Sequence, residues 1–243
     1  MSVRDSRTAE PRPNFDPIWE EAIYGRGYHL NKYPFDLVVS FVFRHAPRTK
    51  PRDQVHVLEV GCGAGNNLWF VAREGFSAAG LDASPSAIAH ARDRFQAEGL
   101  SADLRVGDFT ALPFPENSFD LVIDRGALTC CGLTACRRAL DEVHRVLAPG
   151  GAFLFNPYSD LHSSKLAGRP APDGLTLDIQ GGSLVGVGQL AFHGEESIRS
   201  LIGDQWQVVS RQLLTITEHA GPGSESGVHA EWRIILRKPD ANP

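Results

Sequence analysis

The sequence predicts an α/β fold built on a doubly wound, mainly parallel sheet, and three observations carry that prediction. Short apolar runs of strand length alternate with helix-period segments between about residues 55 and 155, the pattern of parallel strands joined by crossover helices. The first run, Val55 to Val60, opens into Gly61-Cys62-Gly63-Ala64-Gly65 and then into a helix from Asn66. Such glycines admit positive φ and let the backbone approach a ligand, and the helix N-terminus behind them presents unpaired N–H groups. Acidic residues recur where successive strands end, at Glu59, Asp82, Asp108 and Asp124, and ligands of open parallel sheets bind at that edge.

The elements follow in order. Asp16-Pro17 reads as an N-cap with proline in the first helical position, starting a short helix from Ile18 to Tyr24 that Gly25-Arg26-Gly27 breaks. A second helix runs from about Pro34 to Arg44, with Leu37, Val38, Phe41 and Val42 on one apolar face. After a polar linker, strand one is Val55 to Val60, a buried helix spans Asn66 to Arg73, and strand two is Phe76 to Leu81 with Asp82 at its end. Ser84-Pro85 caps a helix that buries Ile88, Ala91 and Phe95. Strands three and four are Asp103 to Val106 and Phe119 to Ile123, a helix runs from about Thr134 to Leu147, and strand five is Ala152 to Phe155. From Tyr158 to Gly188 the chain is rich in Gly, Pro and Ser and carries one expected hairpin, Leu175–Ile179 against Ser183–Val187 around Gly181-Gly182. A short helix from Glu195 to Ile202 precedes two long strands, Trp206 to Thr217 and His229 to Arg237, joined by a glycine-rich connection that implies an antiparallel pair.

Composition narrows the function. A chain of 243 residues with 42% hydrophobic residues has room for one large core. A net charge of −5 gives no basic surface, so nucleic acid is not an expected partner. No apolar run reaches membrane-span length. Cys62, Cys130, Cys131 and Cys136 make neither a CxxC pair nor a zinc spacing. They are expected as reduced thiols in a cytoplasmic protein, with no metal site. The expected organisation is a disordered tail at 1–13 and a single domain at 14–243, with helices at 14–53 and an insertion at 157–190.

Two nucleotide readings compete for the glycine turn. A dinucleotide site needs G-x-G-x-x-G with an acid about 20 residues on; here Gly61, Gly63 and Gly65 run in a G-x-G-x-G register behind Glu59, and Asp82 suits either reading. Glu59-Val-Gly-Cys-Gly-Ala-Gly65 with Leu81-Asp82-Ala-Ser84, Gly107-Asp108-Phe109, Phe119-Asp-Leu-Val-Ile-Asp124 and Arg145-Val-Leu-Ala-Pro-Gly-Gly151 resembles the class I S-adenosylmethionine-dependent methyltransferases. The resemblance covers about Val55 to Phe155. It implies a seven-stranded, Rossmann-like sheet with an antiparallel last strand, and the closing strand pair agrees with it. Gly61-Cys-Gly-Ala-Gly-Asn-Asn-Leu-Trp-Phe70 behind Asn31-Lys-Tyr-Pro34 further resembles bacterial members that act on small molecules.

The resemblance implies roles position by position. Gly61, Gly63 and Gly65 would let the backbone approach the amino-acid part of S-adenosyl-L-methionine, and Glu59 would orient that turn or meet the ammonium. Asp82, followed by Ala83, would hold the ribose hydroxyls. Asp108 would accept from the adenine amino group beside Phe109, and Asp124 and Arg125 would line the methyl-transfer site. A general base is needed only for a hydroxyl or carbon-acid acceptor, and His29 and His193 are the candidates, since both lie in segments expected to cover the site. Trp19, Tyr24, Tyr28 and Tyr33 form an aromatic group that would roof the cofactor, grip an acceptor or pack the N-terminal helix onto the sheet. The implied activity is methyl transfer to an O, N or C atom of a small polar metabolite or natural product. Two further readings stay open: a non-catalytic cofactor-binding sensor or partner subunit, and a nicotinamide-dependent oxidoreductase. Oligomeric state is open, a homodimer being one option.

Overall fold

The computed structural model describes residues 14–219 and 227–240; the tail expected at 1–13 lies outside them. Its framework is a seven-stranded sheet made of β1 (His56–Val60), β2 (Ser77–Asp82), β3 (Asp103–Val106), β4 (Phe119–Asp124), β5 (Leu147–Phe155), β9 (Gln207–Glu218) and β10 (Gly227–Arg237), in the order β3-β2-β1-β4-β5-β10-β9. The first five strands pair in parallel, and β10 runs antiparallel to both β5 and β9. Strand order therefore reverses between β1 and β4, which opens a crevice at the carboxyl ends of those two strands.

Helices α1 (Asp36–His45), α2 (Asn66–Arg73) and α3 (Pro85–Ala97) cover one face, while α4 (Leu133–Val146) and α6 (Glu195–Ile202) cover the other. Alternation along β1 feeds both layers: Val57 packs with Phe41, Leu68 and Ile88, whereas Leu58 packs with Leu128, Leu140 and Phe153. Each such fully buried side chain contributes about 1.5–3 kcal/mol. Ser84 caps α3 as its position before Pro85 predicts, its hydroxyl accepting from the Ala87 N–H at 3.0 Å.

The N-terminal turn departs from α-helical geometry, with a wider π-helical turn at Trp19–Ile23 followed by a tighter 3-10 turn at Tyr24–Arg26 that Gly27 ends at φ 74°. The expected hairpin is not formed. Instead β7 (Leu175–Leu177) lies between β6 (Arg169–Pro170) and β8 (Leu190–Ala191), with the short helix α5 (Ser163–Leu166) ahead of them. Positive φ at Gly182, Gly186 and Gly188 turns the 183–188 stretch away from strand geometry, and its Leu184 packs under the insertion with Ile179, Leu190 and Phe192.

Candidate active site

The glycine turn after β1 takes left-handed backbone at all three expected glycines, with φ of 65° at Gly61, 51° at Gly63 and 75° at Gly65. A Cβ on Gly61 would collide with the Cβ of Ala127, and one on Gly63 with the Tyr24 hydroxyl. The bare backbone of this turn walls two adjoining cavities of about 120 and 280 Å3, which share Trp19, Tyr24, Gly61, Arg125, Gly126 and Cys130. The smaller adds Asp82, Ala83 and Phe109; the larger adds Glu59, Gly63, Asn67, His29 and the insertion residues Tyr158, Ser183, Leu184, Val187 and Leu190.

Asp82 ties the turn to β2. Its Oδ2 accepts from the Gly63 N–H at 2.8 Å and its Oδ1 from the Ser84 N–H at 2.9 Å. Each oxygen keeps a lone pair for a ligand donor, and burial pushes its pKa up. Glu59 is buried deeper, and burial lifts its pKa to about 8 against the opposing hydrogen bond from Asn67. The Asn67 amide donates to Glu59 Oε1 at 2.6 Å, while Oε2 is buried with no partner among the described residues. An unpartnered buried carboxylate oxygen is costly, so this site fits a ligand bearing an ammonium group. Two carboxylate acceptors, Glu59 and Asp82, and a backbone cradle free of Cβ atoms between them match an S-adenosylmethionine-type ligand.

Asp108 is exposed beside a third cavity of about 110 Å3 that includes Asn14, Phe15, Ala83 and Phe109. Its oxygens accept from the Thr110 N–H and hydroxyl and from the Asn14 amide; partial burial works against ionisation there, but these bonds hold its pKa below the usual value. Asp124 serves a different place from the one expected. It is fully buried, lines none of these cavities, and its carboxylate accepts from the N–H groups of Ala127, Leu128 and Asn156. It therefore braces the turn that carries Arg125 and Gly126.

The N-terminal segment straps the crevice. Glu20 accepts from the Ser84 hydroxyl and from the Ser86 N–H and hydroxyl at the start of α3, and Asp16 accepts from the Gln189 N–H at 3.0 Å. Trp19 packs 5.9 Å from both Tyr24 and His29, whereas Tyr28 and Tyr33 are 62% and 72% exposed and line neither main cavity. Burial and the neighbouring Asp82 push the Tyr24 phenol pKa up. The two candidate bases are not brought together. His29 lies in the wall of the larger cavity, but His193 is buried behind Tyr158, its Nδ1 3.0 Å from the Ser197 hydroxyl and its pKa lowered by burial to about 4.

Sequence reasoning missed Glu20, Asn67, Tyr158 and Glu231. Glu231 on β10 is 1% exposed and gathers Arg233 at 2.8 Å, His229 at 3.4 Å and Arg125 at 3.5 Å. Burial opposes its ionisation, yet His229, Arg125 and Arg233 together bring its pKa down to about 2. No local pattern announces such a partner, since β10 reaches the site through sheet order. The adjacent Asn66-Asn67 pair was visible, but its use was not: Asn67 also accepts from the Phe35 N–H, fastening the strap's end to the turn.

The fold and site define a nucleoside-cofactor α/β domain of the methyltransferase class, and the comparisons agree. A family described as methyltransferase domain matches residues 57–151, the segment that carries the glycine turn and the strand-end acids. It is 41% identical over 107 residues to a phthiotriol/phenolphthiotriol dimycocerosates methyltransferase of Mycobacterium tuberculosis, covering 43% of this chain and 37% of that protein. It is 36% identical over 143 residues to a malonyl-[acyl-carrier protein] O-methyltransferase of Erwinia pyrifoliae, covering 57% and 51%. The chain thus spans about two-fifths to one-half of these curated relatives. A solved structure described by "Conversion of a Disulfide Bond into a Thioacetal Group during Echinomycin Biosynthesis" aligns over 86% of this chain and 84% of that one, with a TM-score of 0.63 and 26% identity. A Methanosarcina mazei S-adenosylmethionine-dependent methyltransferase shares the fold at a TM-score of 0.65 and 19% identity, over 86% of this chain and 100% of that one.

Proposed function

We propose that this chain is an S-adenosylmethionine-dependent methyltransferase acting on an O, N or C atom of a small molecule. The observation that carries the reading is the pairing of a partnerless buried Glu59 oxygen with Asp82 across the glycine cradle. Glu59 and the backbone of Gly61, Gly63 and Gly65 would hold the amino-acid end of the cofactor, and Asp82 the ribose. Ala83, Phe109 and Asp108 surround the small cavities where the adenine would lie. The bound cofactor supplies a methyl group already activated on a sulfonium, so the protein's main task is to position an acceptor with water excluded. The strap anchored by Asp16 and Glu20 excludes that water. His29, in the cavity wall, is the group placed to take a proton from a hydroxyl acceptor.

Calorimetric titration with S-adenosylhomocysteine and with NAD tests the cofactor assignment. S-adenosylhomocysteine should bind and NAD should not; NAD binding alone would sink the reading. Release of S-adenosylhomocysteine from S-adenosylmethionine over an acceptor panel tests catalysis. Tight binding with no turnover across a broad panel would make the chain a sensor.

A further inference from the structure

We propose that the insertion side of the larger cavity binds an acceptor carrying a carboxylate on an apolar or aromatic body, with Arg125 as its anchor. This rests on the methyltransferase reading and narrows its substrate.

The joined cavities are lined by the carboxylates of Glu59 and Asp82 on the sheet side and of Asp16 on the strap, and by one fixed cation, Arg125, directly after β4. Arg125 lies in the wall of both cavities and, among the described residues, is the only lysine or arginine lining either. Its guanidinium is stacked 4.2 Å from the Phe35 ring centre, which covers a face and leaves the in-plane N–H donors for ligands. Those donors are poorly used. Glu231 stands 3.5 Å away and is already held by Arg233 and His229, while Asp124 spends its oxygens on three backbone N–H groups. The Tyr158 hydroxyl is the hydrogen-bond partner that remains. Glu231, Phe35 and Tyr158 thus fix the guanidinium without filling its fork. A second donor stands nearby: the Trp19 indole N–H is buried with no partner among the described residues.

The cofactor's own carboxylate has a different place. Helix α2 opens at Asn66 behind Gly65 with no side-chain cap, so its first N–H groups and positive end face the glycine-turn side of the cavity. One arginine with no second lysine or arginine suits the planar, singly charged carboxylate, which takes the fork bidentately. Around it, Phe35, Tyr158, Leu184, Val187 and Leu190 supply an apolar wall. A fully polar acceptor would leave that wall unmatched, as ligand pockets pair an apolar lining with a few placed polar groups.

The test uses protein saturated with S-adenosylhomocysteine, titrated with phenylacetate, indole-3-acetate and their neutral amides by calorimetry and thermal shift. At least one carboxylate should bind about tenfold or more tighter than its amide. Arg125→Gln should abolish that preference while holding S-adenosylhomocysteine affinity within about twofold, and Arg125→Lys, which keeps the charge but loses the fork, should retain part of it. Equal binding of acid and amide, or no response to either acid, overturns the proposal. Loss of S-adenosylhomocysteine binding in both folded Arg125 variants also overturns it, by assigning Arg125 to the cofactor. Failure of the wild-type protein to bind S-adenosylhomocysteine breaks the methyltransferase reading instead, and the acid-to-amide comparison can then be read on the unloaded protein.

Discussion

The Asp82 carboxylate accepts the Gly63 N–H at 2.8 Å, so the group that would hold the ribose also sets the turn that would hold the amino-acid end. Both halves of the cofactor site therefore share one carboxylate. Asp82→Ala should weaken S-adenosylhomocysteine binding by about 1–3 kcal/mol, the cost of lost charged hydrogen bonds, or about fivefold to 150-fold in Kd. Titration calorimetry on the folded variant reads this directly, and an unchanged Kd would refute the ribose assignment.

Gly63 is constrained twice, by its φ of 51° and by the Tyr24 hydroxyl standing where a Cβ would go. Gly63→Ala should lower the melting temperature and cofactor affinity together. Tyr24→Phe in the same chain should restore part of the loss, because it removes the atom nearest the new methyl. The left-handed backbone cost would remain, so recovery stays incomplete. A double-mutant cycle on melting temperature gives the coupling; strict additivity would show that Tyr24 does not press on this turn.

Glu20 joins the strap to the start of α3 through Ser84 and Ser86. Glu20→Ala removes acceptors from the first turn of a helix, a change that costs about 1 kcal/mol at capping positions. Faster amide exchange should appear at residues 16–24, with a higher dissociation rate for S-adenosylhomocysteine. Equal exchange in the two proteins would show that other contacts hold the strap.

The framework was legible because most strands of the 55–155 region are short apolar runs closed by a turn residue, and each crossover helix carries its own cap or stop. The Ser84 cap and the glycine turn sit where local chemistry alone puts them. The insertion was not legible. Leu175–Leu177 pairs with residues on either side in sequence, and nothing in its own composition selects Leu190 over Leu184 as a partner. The strand-end acids show the same limit. Glu59, Asp82 and Asp124 read alike in sequence, yet Asp124 lies away from the cavities and accepts three backbone N–H groups, those of Ala127 and Leu128 in its own turn and that of Asn156, which β5 brings beside it. Glu231 could not be read at all, since its meeting with Arg125 depends on β10 entering the sheet beside β5.

The buried Glu59 makes the last prediction one of pH. Its pKa rises from 4.5 in the unfolded chain to about 8 in the fold, chiefly through burial. Between those values the unfolded chain releases a proton that the folded chain keeps, so Glu59 lowers stability as pH rises through that window. The slope is at most about 1.4 kcal/mol per pH unit, and the effect is complete above about pH 8. Asp124, raised to about 6, contributes with the same sign. Comparing wild type with Glu59→Gln cancels the Asp124 part, because both proteins carry it. Denaturant melts should therefore show the variant gaining on wild type from about pH 5 to pH 8 and the gap levelling beyond. Ligand binding should run the other way. An ammonium beside Glu59 favours the ionised carboxylate, so S-adenosylhomocysteine binding at neutral pH should release protons in wild type and fewer in Glu59→Gln. Calorimetry in buffers of different ionisation enthalpy counts that difference. Equal proton release, together with a flat stability difference, would mean that Glu59 is already charged in the empty fold and is not waiting for a cation.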